Sequence, residues 1–189
     1  MLKKIKVGVY IDGSNIYHGG LRAGWQLEYS RLKLFIERKF EISVIKYYNS
    51  IGYEKDQHGK YLKDKAGQYI LNKASLSFEK YLRKIGIQVI SKPLKFIKGR
   101  ESIASNKLDG DLMIDALLEH KSWDELILLS GDSDFERLIK EMIKVKKKVQ
   151  VLSFNSRISY EIRHLAVTSE LVTYLSLDKL RTTLGRVKK

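Results

Sequence analysis

The apolar run "VGVYI" at 7–11 ends in Asp12, with Ser14 and Asn15 close behind, and "LILLSGDSDF" at 126–135 repeats the arrangement with Ser130, Asp132, Ser133 and Asp134. A carboxylate at the tip of a core strand contributes nothing to packing, so two such strands raise the possibility of one shared polar site. A third supply of acid is "NKLDGDLMIDALLEH" at 106–120. Asp111 and Asp115 are four apart, which puts both on one face of a helix. Asp109 and Asp111, beside Gly110, suit a helix start, where they cap it and oppose its dipole. Asp115 lies a full turn further in, between Ile114 and Ala116. Aspartate is a poor former of helix interiors, so this position reads as functional. Asp132 or Ser133 is also placed to cap a helix starting at 134.

Acids gathered in one crevice repel one another and raise each other's pKa unless a cation neutralises them. The chain has no cysteine, and His18, His58, His120 and His164 show no ligand spacing, so a metal here would take hard oxygen ligands. That donor set selects Mg²⁺ or Mn²⁺. A carboxylate-held divalent ion suits phosphodiester hydrolysis, with Asn15 able to position water or phosphate by hydrogen bonding.

The rest of the composition points the same way. The chain has 189 residues and carries 36 Lys and Arg against 22 Asp and Glu, a net charge of +14. Such an excess favours a polyanionic partner. Basic runs occur at "SKPLKFIKGR" (91–100), "KVKKKV" (144–149) and "LGRVKK", and tyrosines accompany lysines in "KYYNSIGYEKDQHGKYLK". Bases stack on aromatic rings while lysines neutralise phosphates, so a nucleic acid is the expected partner, and composition alone does not choose between RNA and DNA. No run approaches a membrane span and no signal peptide is evident, so a cytoplasmic protein without membrane contact is expected.

To hold these residues together the chain must alternate strands with helices. Strands are expected at 5–11, 42–51, 87–97 (interrupted by Pro93), 125–129 and 149–154, with an edge strand at 171–175. Helices are expected at 29–40, 66–85, 109–119, 134–146 and near 156–165. Alternation of this kind implies parallel strands with right-handed crossovers. No internal repeat stands out, 52–65 reads as a long loop, and 178–189 as a frayed basic tail after a single domain over 1–177. In an open parallel sheet the functional crevice lies at the carboxyl ends of the strands where their order reverses. Asp12 and Asp132 meet there only if their strands are neighbours.

"YIDGSNIY", "DGDLMID" and "LILLSGDSDFERLI" followed by "KVQVLSF" together resemble the NYN domain of the LabA-like group, within the PIN-like nuclease superfamily. The resemblance implies a three-layer α/β/α sandwich with a central, mainly parallel sheet and Mg²⁺- or Mn²⁺-dependent ribonuclease activity. Carried over by motif, Asp12, Asn15, Asp115, Asp132 and Asp134 are the expected catalytic residues. The four aspartates among them are the expected metal ligands, with Asp109 and Asp111 behind them. Ser14, Lys107, Ser130, Ser133, Lys146, Lys147 and Lys148 are the expected nucleic-acid contacts, and a homodimer is a possible assembly. A haloacid-dehalogenase-type phosphatase would need a second aspartate where Ser14 stands. A non-catalytic nucleic-acid-binding or scaffold protein with a structural cation remains the other reading.

Overall fold

The computed structural model describes residues 4–96, 103, 104 and 107–186. Residue 97 of the expected third strand, part of the basic run at 91–100 and residues 187–189 lie outside them. In chain order the elements are β1 (Lys6–Asp12), α1 (Gly13–Ala23), α2 (Tyr29–Glu37), β2 (Glu41–Ile51), α3 (Lys73–Lys84), β3 (Gln88–Pro93), β4 (Lys95–Phe96), β5 (Ile103–Ala104), α4 (Asp109–Glu119), β6 (Glu125–Leu129), α5 (Glu136–Lys144), β7 (Lys148–Ser153), α6 (Tyr160–Thr168), β8 (Val172–Ser176) and α7 (Arg181–Leu184). Short 3₁₀ turns lie at His120–Ser122, Ser133–Phe135 and Leu177–Leu180.

Six strands form a parallel sheet in the order β3-β2-β1-β6-β7-β8. β6, "ELILL", is buried at every position, as a strand covered on both faces must be. Its alternate side chains divide between two cores. Ile127 and Leu129 join Val9, Ile11, Ile16, Leu32 and Leu82 on the face of α1, α2 and α3. Leu126 and Leu128 join Tyr10, Leu112, Ala116, Leu138 and Ile162 on the face of α4, α5 and α6. The result is the expected three-layer α/β/α sandwich. The single proline ends β3, an edge strand, where a missing ladder donor is tolerated.

Four local expectations are corrected. α1 was not foreseen, because Gly13, Gly19 and Gly20 lower helix propensity; the Asp12 cap and the buried Ile16 overcome that cost. α3 begins at Lys73 rather than 66, because Asn72 accepts from the Ser75 N–H and starts the helix there. α6 starts at Tyr160, four residues later than expected, where Ser159 caps it. The expected tail from 178 is ordered through 186: α7 buries Leu184 completely, and the Arg186 N–H donates to the Gln26 carbonyl (2.8 Å).

Residues 53–69 also carry a tandem repeat. Tyr-x-Lys-Asp-x-x-Gly-x-Tyr occurs at 53–61 and again at 61–69, with Tyr61 shared. Eight residues is too short a period to register as an array of secondary elements, which is why the sequence reads instead as a loop to 65 and a helix from 66. Among the described residues no helix is long and apolar enough to cross a membrane.

Candidate active site

β1 pairs directly with β6, and the strand order reverses between them. The ends of both strands therefore open into the crevice expected of such a switch point. Asp12 is only 8% exposed there. Its Oδ1 accepts from the Asn15 N–H (3.0 Å), capping α1, and its Oδ2 accepts from the Ser130 hydroxyl (2.9 Å). Asn15 Oδ1 accepts from the Gly131 N–H (3.2 Å), which ties α1 to the end of β6. Ser130 Oγ accepts in turn from the Asp132 N–H (3.2 Å), and Asp132 Oδ1 accepts from the Asp134 N–H (3.1 Å). Asp12, Asn15, Ser130, Asp132 and Asp134 thus belong to one connected polar chain.

Gly131 is required by this packing. A Cβ there would lie 2.4 Å from the Arg157 carbonyl oxygen, so only glycine lets the turn after β7 close over the end of β6. The Ser159 N–H donates to the Gly131 carbonyl (2.8 Å), fixing that turn against the crevice.

The electrostatics single out two carboxylates. Burial raises the Asp12 pKa; hydrogen bonds from Asn15 and Ser130 pull it back, and the nearby charges of Asp109 and Asp132 push it up, leaving it at about 6. Asp109 is also held above the ordinary carboxylate range, first by burial and then by Asp132, with Lys107 opposing and Asp134 adding to the rise. Asp109 therefore shares the electrostatic field of the Asp12 and Asp132 carboxylates. Its position could not be read from the sequence because the cap and crevice readings place it on the same first turn of α4. Leu108 stands at the cap, without a side-chain cap bond.

The other expected residues are sorted by lysines. Lys107 pairs with Asp134 (3.3 Å), leaving both beside the cluster. Lys92 on β3 takes Asp111 with contacts of 2.7 and 2.8 Å. Asp115 stands in a separate network: its Oδ2 accepts from Lys46 Nζ (2.9 Å) and from the Tyr48 hydroxyl (2.7 Å). Lys46 also donates to Glu119 (2.5 Å), which accepts from the Tyr10 hydroxyl (2.7 Å). Burial pushes the Asp115 pKa up, but Tyr48 and Lys46 outweigh it and hold the carboxyl below its usual range. A lysine within the apolar strand "VIKYY" was the sequence signal for this arrangement, since a buried ammonium needs an acid. Ser14 and Ser133 are exposed at the starts of their helical turns, on the rim.

Lys146, Lys147 and Lys148 are placed otherwise than expected. They lie where β7 begins, at the opposite end of the parallel strands from Asp12. Lys147 donates to the Trp123 carbonyl (2.5 Å) and lies over the indole ring, so its charge serves the fold. Sequence reasoning also missed Arg157. Its Nε is buried without a hydrogen-bond partner among the described residues, on the turn packed against Gly131.

Among the described residues no three acidic or histidine side chains converge into a ready-made ion site. The donor chemistry nevertheless fits a hydrated divalent ion, because the buried Asp12 and the half-buried Asp109 are both raised by neighbouring carboxylates, with only Lys107 opposing at Asp109. Mg²⁺ characteristically keeps several waters and binds through only one or two carboxylates.

The NYN domain model matches residues 6–170. The chain belongs to the NYN domain family. NYN domains fall within the PIN-like nuclease group and generally bind nucleic acid, and members of that group generally use divalent metals. The chain is 24% identical over 190 residues to the low amplitude and bright protein LabA of Synechococcus elongatus, a match covering 97% of this chain and 90% of LabA. Its fold is similar to the crystal structure of a protein of unknown function from Vibrio parahaemolyticus, with a TM-score of 0.69, 20% identity, and coverage of 98% and 99% of the two chains. The PIN-like architecture expected from the three motifs is therefore the observed one.

Proposed function

We propose that this NYN protein is a metal-dependent ribonuclease whose working acids are Asp12, Asp109 and Asp132. The observation that carries the reading is Asp12: a nearly buried carboxylate, raised to about 6, facing like charges at the sheet's switch point. Folding tolerates such a cost where function needs the charge. A hydrated Mg²⁺ or Mn²⁺ ion would be held through Asp12 and one neighbouring carboxylate, Asp109 or Asp132, with waters completing its shell and Asp134 beside them. A bound divalent ion supplies an activated water and stabilises developing negative charge at the phosphate. Asn15, oriented by the Gly131 N–H, keeps its amide NH₂ for a water or a phosphate oxygen. Ser130 holds the Asp12 carboxylate in place, and Lys107 and Arg157 are the cations able to meet the phosphodiester at the rim.

The test is cleavage of labelled RNA and DNA with Mg²⁺, Mn²⁺ or EDTA, using Asp12→Asn and Asp132→Asn as controls. Metal-dependent cutting of RNA that both variants lose by orders of magnitude is the expected result. Cutting that survives EDTA or both substitutions would remove the assignment. Binding without cleavage is the second reading, favoured by the Lys107–Asp134 pair, which already neutralises one carboxylate. It predicts RNA binding by the intact protein with no cutting under any divalent ion.

A further inference from the structure

The repeat at 53–69 builds a compact knob between β2 and α3. The N–H groups of Glu54, Leu62 and Ile70 donate to the carbonyls of Ile70, Glu54 and Leu62 respectively (2.8, 3.0 and 3.0 Å), a closed ring whose members are eight residues apart. Each repeat folds into the same turn. Asp56 Oδ1 accepts from the N–H groups of His58 (2.8 Å) and Lys60 (2.9 Å). Asp64 Oδ1 accepts from Ala66 and Gln68 (both 2.9 Å). Gly59 and Gly67 take the left-handed conformation each turn needs, with φ of 81° and 76°. Eight residues beyond Asp64, Asn72 stands where a further aspartate would fall and caps α3 instead.

Side chains repeat with the backbone. Tyr53, Tyr61 and Tyr69 pack on one another with ring centroids 5.6 to 6.4 Å apart. Lys55 Nζ lies 4.7 Å from the centroid of Tyr61, and Lys63 Nζ lies 4.7 Å from that of Tyr69. The knob's acids are engaged as caps, Asp56 and Asp64 on their own turns and Glu54 accepting from the Lys73 N–H (2.6 Å). Among the described residues Lys55, Lys60, Lys63 and Lys65 form no ion pair, and all four are exposed.

We propose that this knob is a second contact for the RNA strand, with Lys55 and Lys63 each taking a backbone phosphate and Lys60 and Lys65 adding to the field. This rests on the nucleic-acid reading above and adds to it the place where the strand is gripped away from the acids. Equivalent cations on equivalent turns suit a ligand whose charges also recur, as those of a phosphodiester chain do. The turns are locked by their own hydrogen bonds, so little ordering remains to be done on binding. The position agrees: Asp12 is paired in register with Tyr48, and β2 runs on to Ile51 before the knob begins. Gly52 is thus four residues, about 13 Å, beyond the level of Asp12 on the strand next door.

The experiment is RNA binding by fluorescence anisotropy in EDTA, across a series of salt concentrations, with a single-stranded RNA of mixed sequence. The proteins are wild type, Lys55→Glu/Lys63→Glu, Lys55→Arg/Lys63→Arg, and Lys146→Glu/Lys148→Glu as a charge-matched control at the opposite end of the strands. Losing two phosphate contacts on a single strand should reduce the log–log salt slope by about 1.4. The proposal expects that loss, with at least tenfold weaker binding at low salt, only in the glutamate pair at 55 and 63, and near-wild-type binding with arginine. Wild-type slope and affinity in that pair overturn it, as does an equal loss in the opposite-end control. A polyglutamate peptide that binds through Lys55 and Lys63 while RNA binding ignores them would replace RNA with an acidic protein and also overturn it. Because cleavage is not needed here, failure of the nuclease reading leaves this result intact, whereas a wild-type protein that binds no RNA defeats both.

Discussion

Replacing Asp12 with asparagine should make the metal-free protein more stable at neutral pH. The Asp12 pKa rises from 3.8 to about 6 on folding. At 1.36 kcal/mol per unit, ionised Asp12 costs the folded state about 3 kcal/mol. The group is nearly buried, so solvent screening removes little of that. The proton-linked stabilisation is fully present below 3.8 and is lost as pH rises through about 6, so the folded state bears the whole cost above that point. Asparagine keeps the acceptor for the Asn15 N–H but forces the Ser130 hydroxyl to turn, a loss of about 1 kcal/mol. The net gain is about 2 kcal/mol, or roughly 4–8 °C in Tm for a chain of this size. Thermal unfolding in EDTA of wild type and Asp12→Asn, from about pH 4 to about pH 8, measures it. The two Tm curves should cross between the ordinary carboxylate range and pH 6, with the variant ahead on the alkaline side. Parallel curves, or a variant less stable at every pH, would refute the reasoning from burial and like charge.

Mg²⁺ should raise the wild-type Tm by the equivalent of about 2.7 kcal/mol at a hundredfold excess over Kd, an effect that shrinks below pH 6 as Asp12 takes up its proton and that Asp12→Asn lacks; differential scanning fluorimetry reads both. Lys46→Met should cost about 3 kcal/mol in urea unfolding, the low end for a broken buried pair because Asp115 and Glu119 are about a third exposed. Asp115→Asn should cost stability while leaving the metal-induced Tm shift in place, and loss of that shift would return Asp115 to the ion site. Arg157→Ala should raise the KM for RNA about tenfold to a hundredfold, the worth of a charged hydrogen bond, with little change in Tm and partial rescue by lysine.

The strands that carry Asp12 and Asp132 were legible because buried parallel strands announce themselves as short apolar runs, and an acid at the end of one breaks the pattern visibly. Their adjacency was not, since pairing between residues more than a hundred positions apart leaves no local trace. Asp109 and Asp115 show the limit more sharply. Both lie on α4, and spacing alone allows either to meet the crevice. The choice is made by lysines at 46 and 92 on β2 and β3, which draw Asp115 and Asp111 towards the flank and leave Asp109 facing Asp132. The glycines of α1 hid a helix for a similar reason, because the close packing that justifies them is a property of the neighbours.

Asp12 serves two masters through its two oxygens. Oδ1 closes the first turn of α1 on the Asn15 N–H, while the same carboxylate lies among the crevice acids. Whatever draws electron density from that carboxylate, whether a proton or a cation, weakens its grip on the amide. The backbone N–H of Asn15 is therefore a natural reporter: its hydrogen-exchange protection and its chemical shift register the occupancy of the crevice from within the helix. A spectroscopist could follow ligand arrival at this one amide without labelling the ligand.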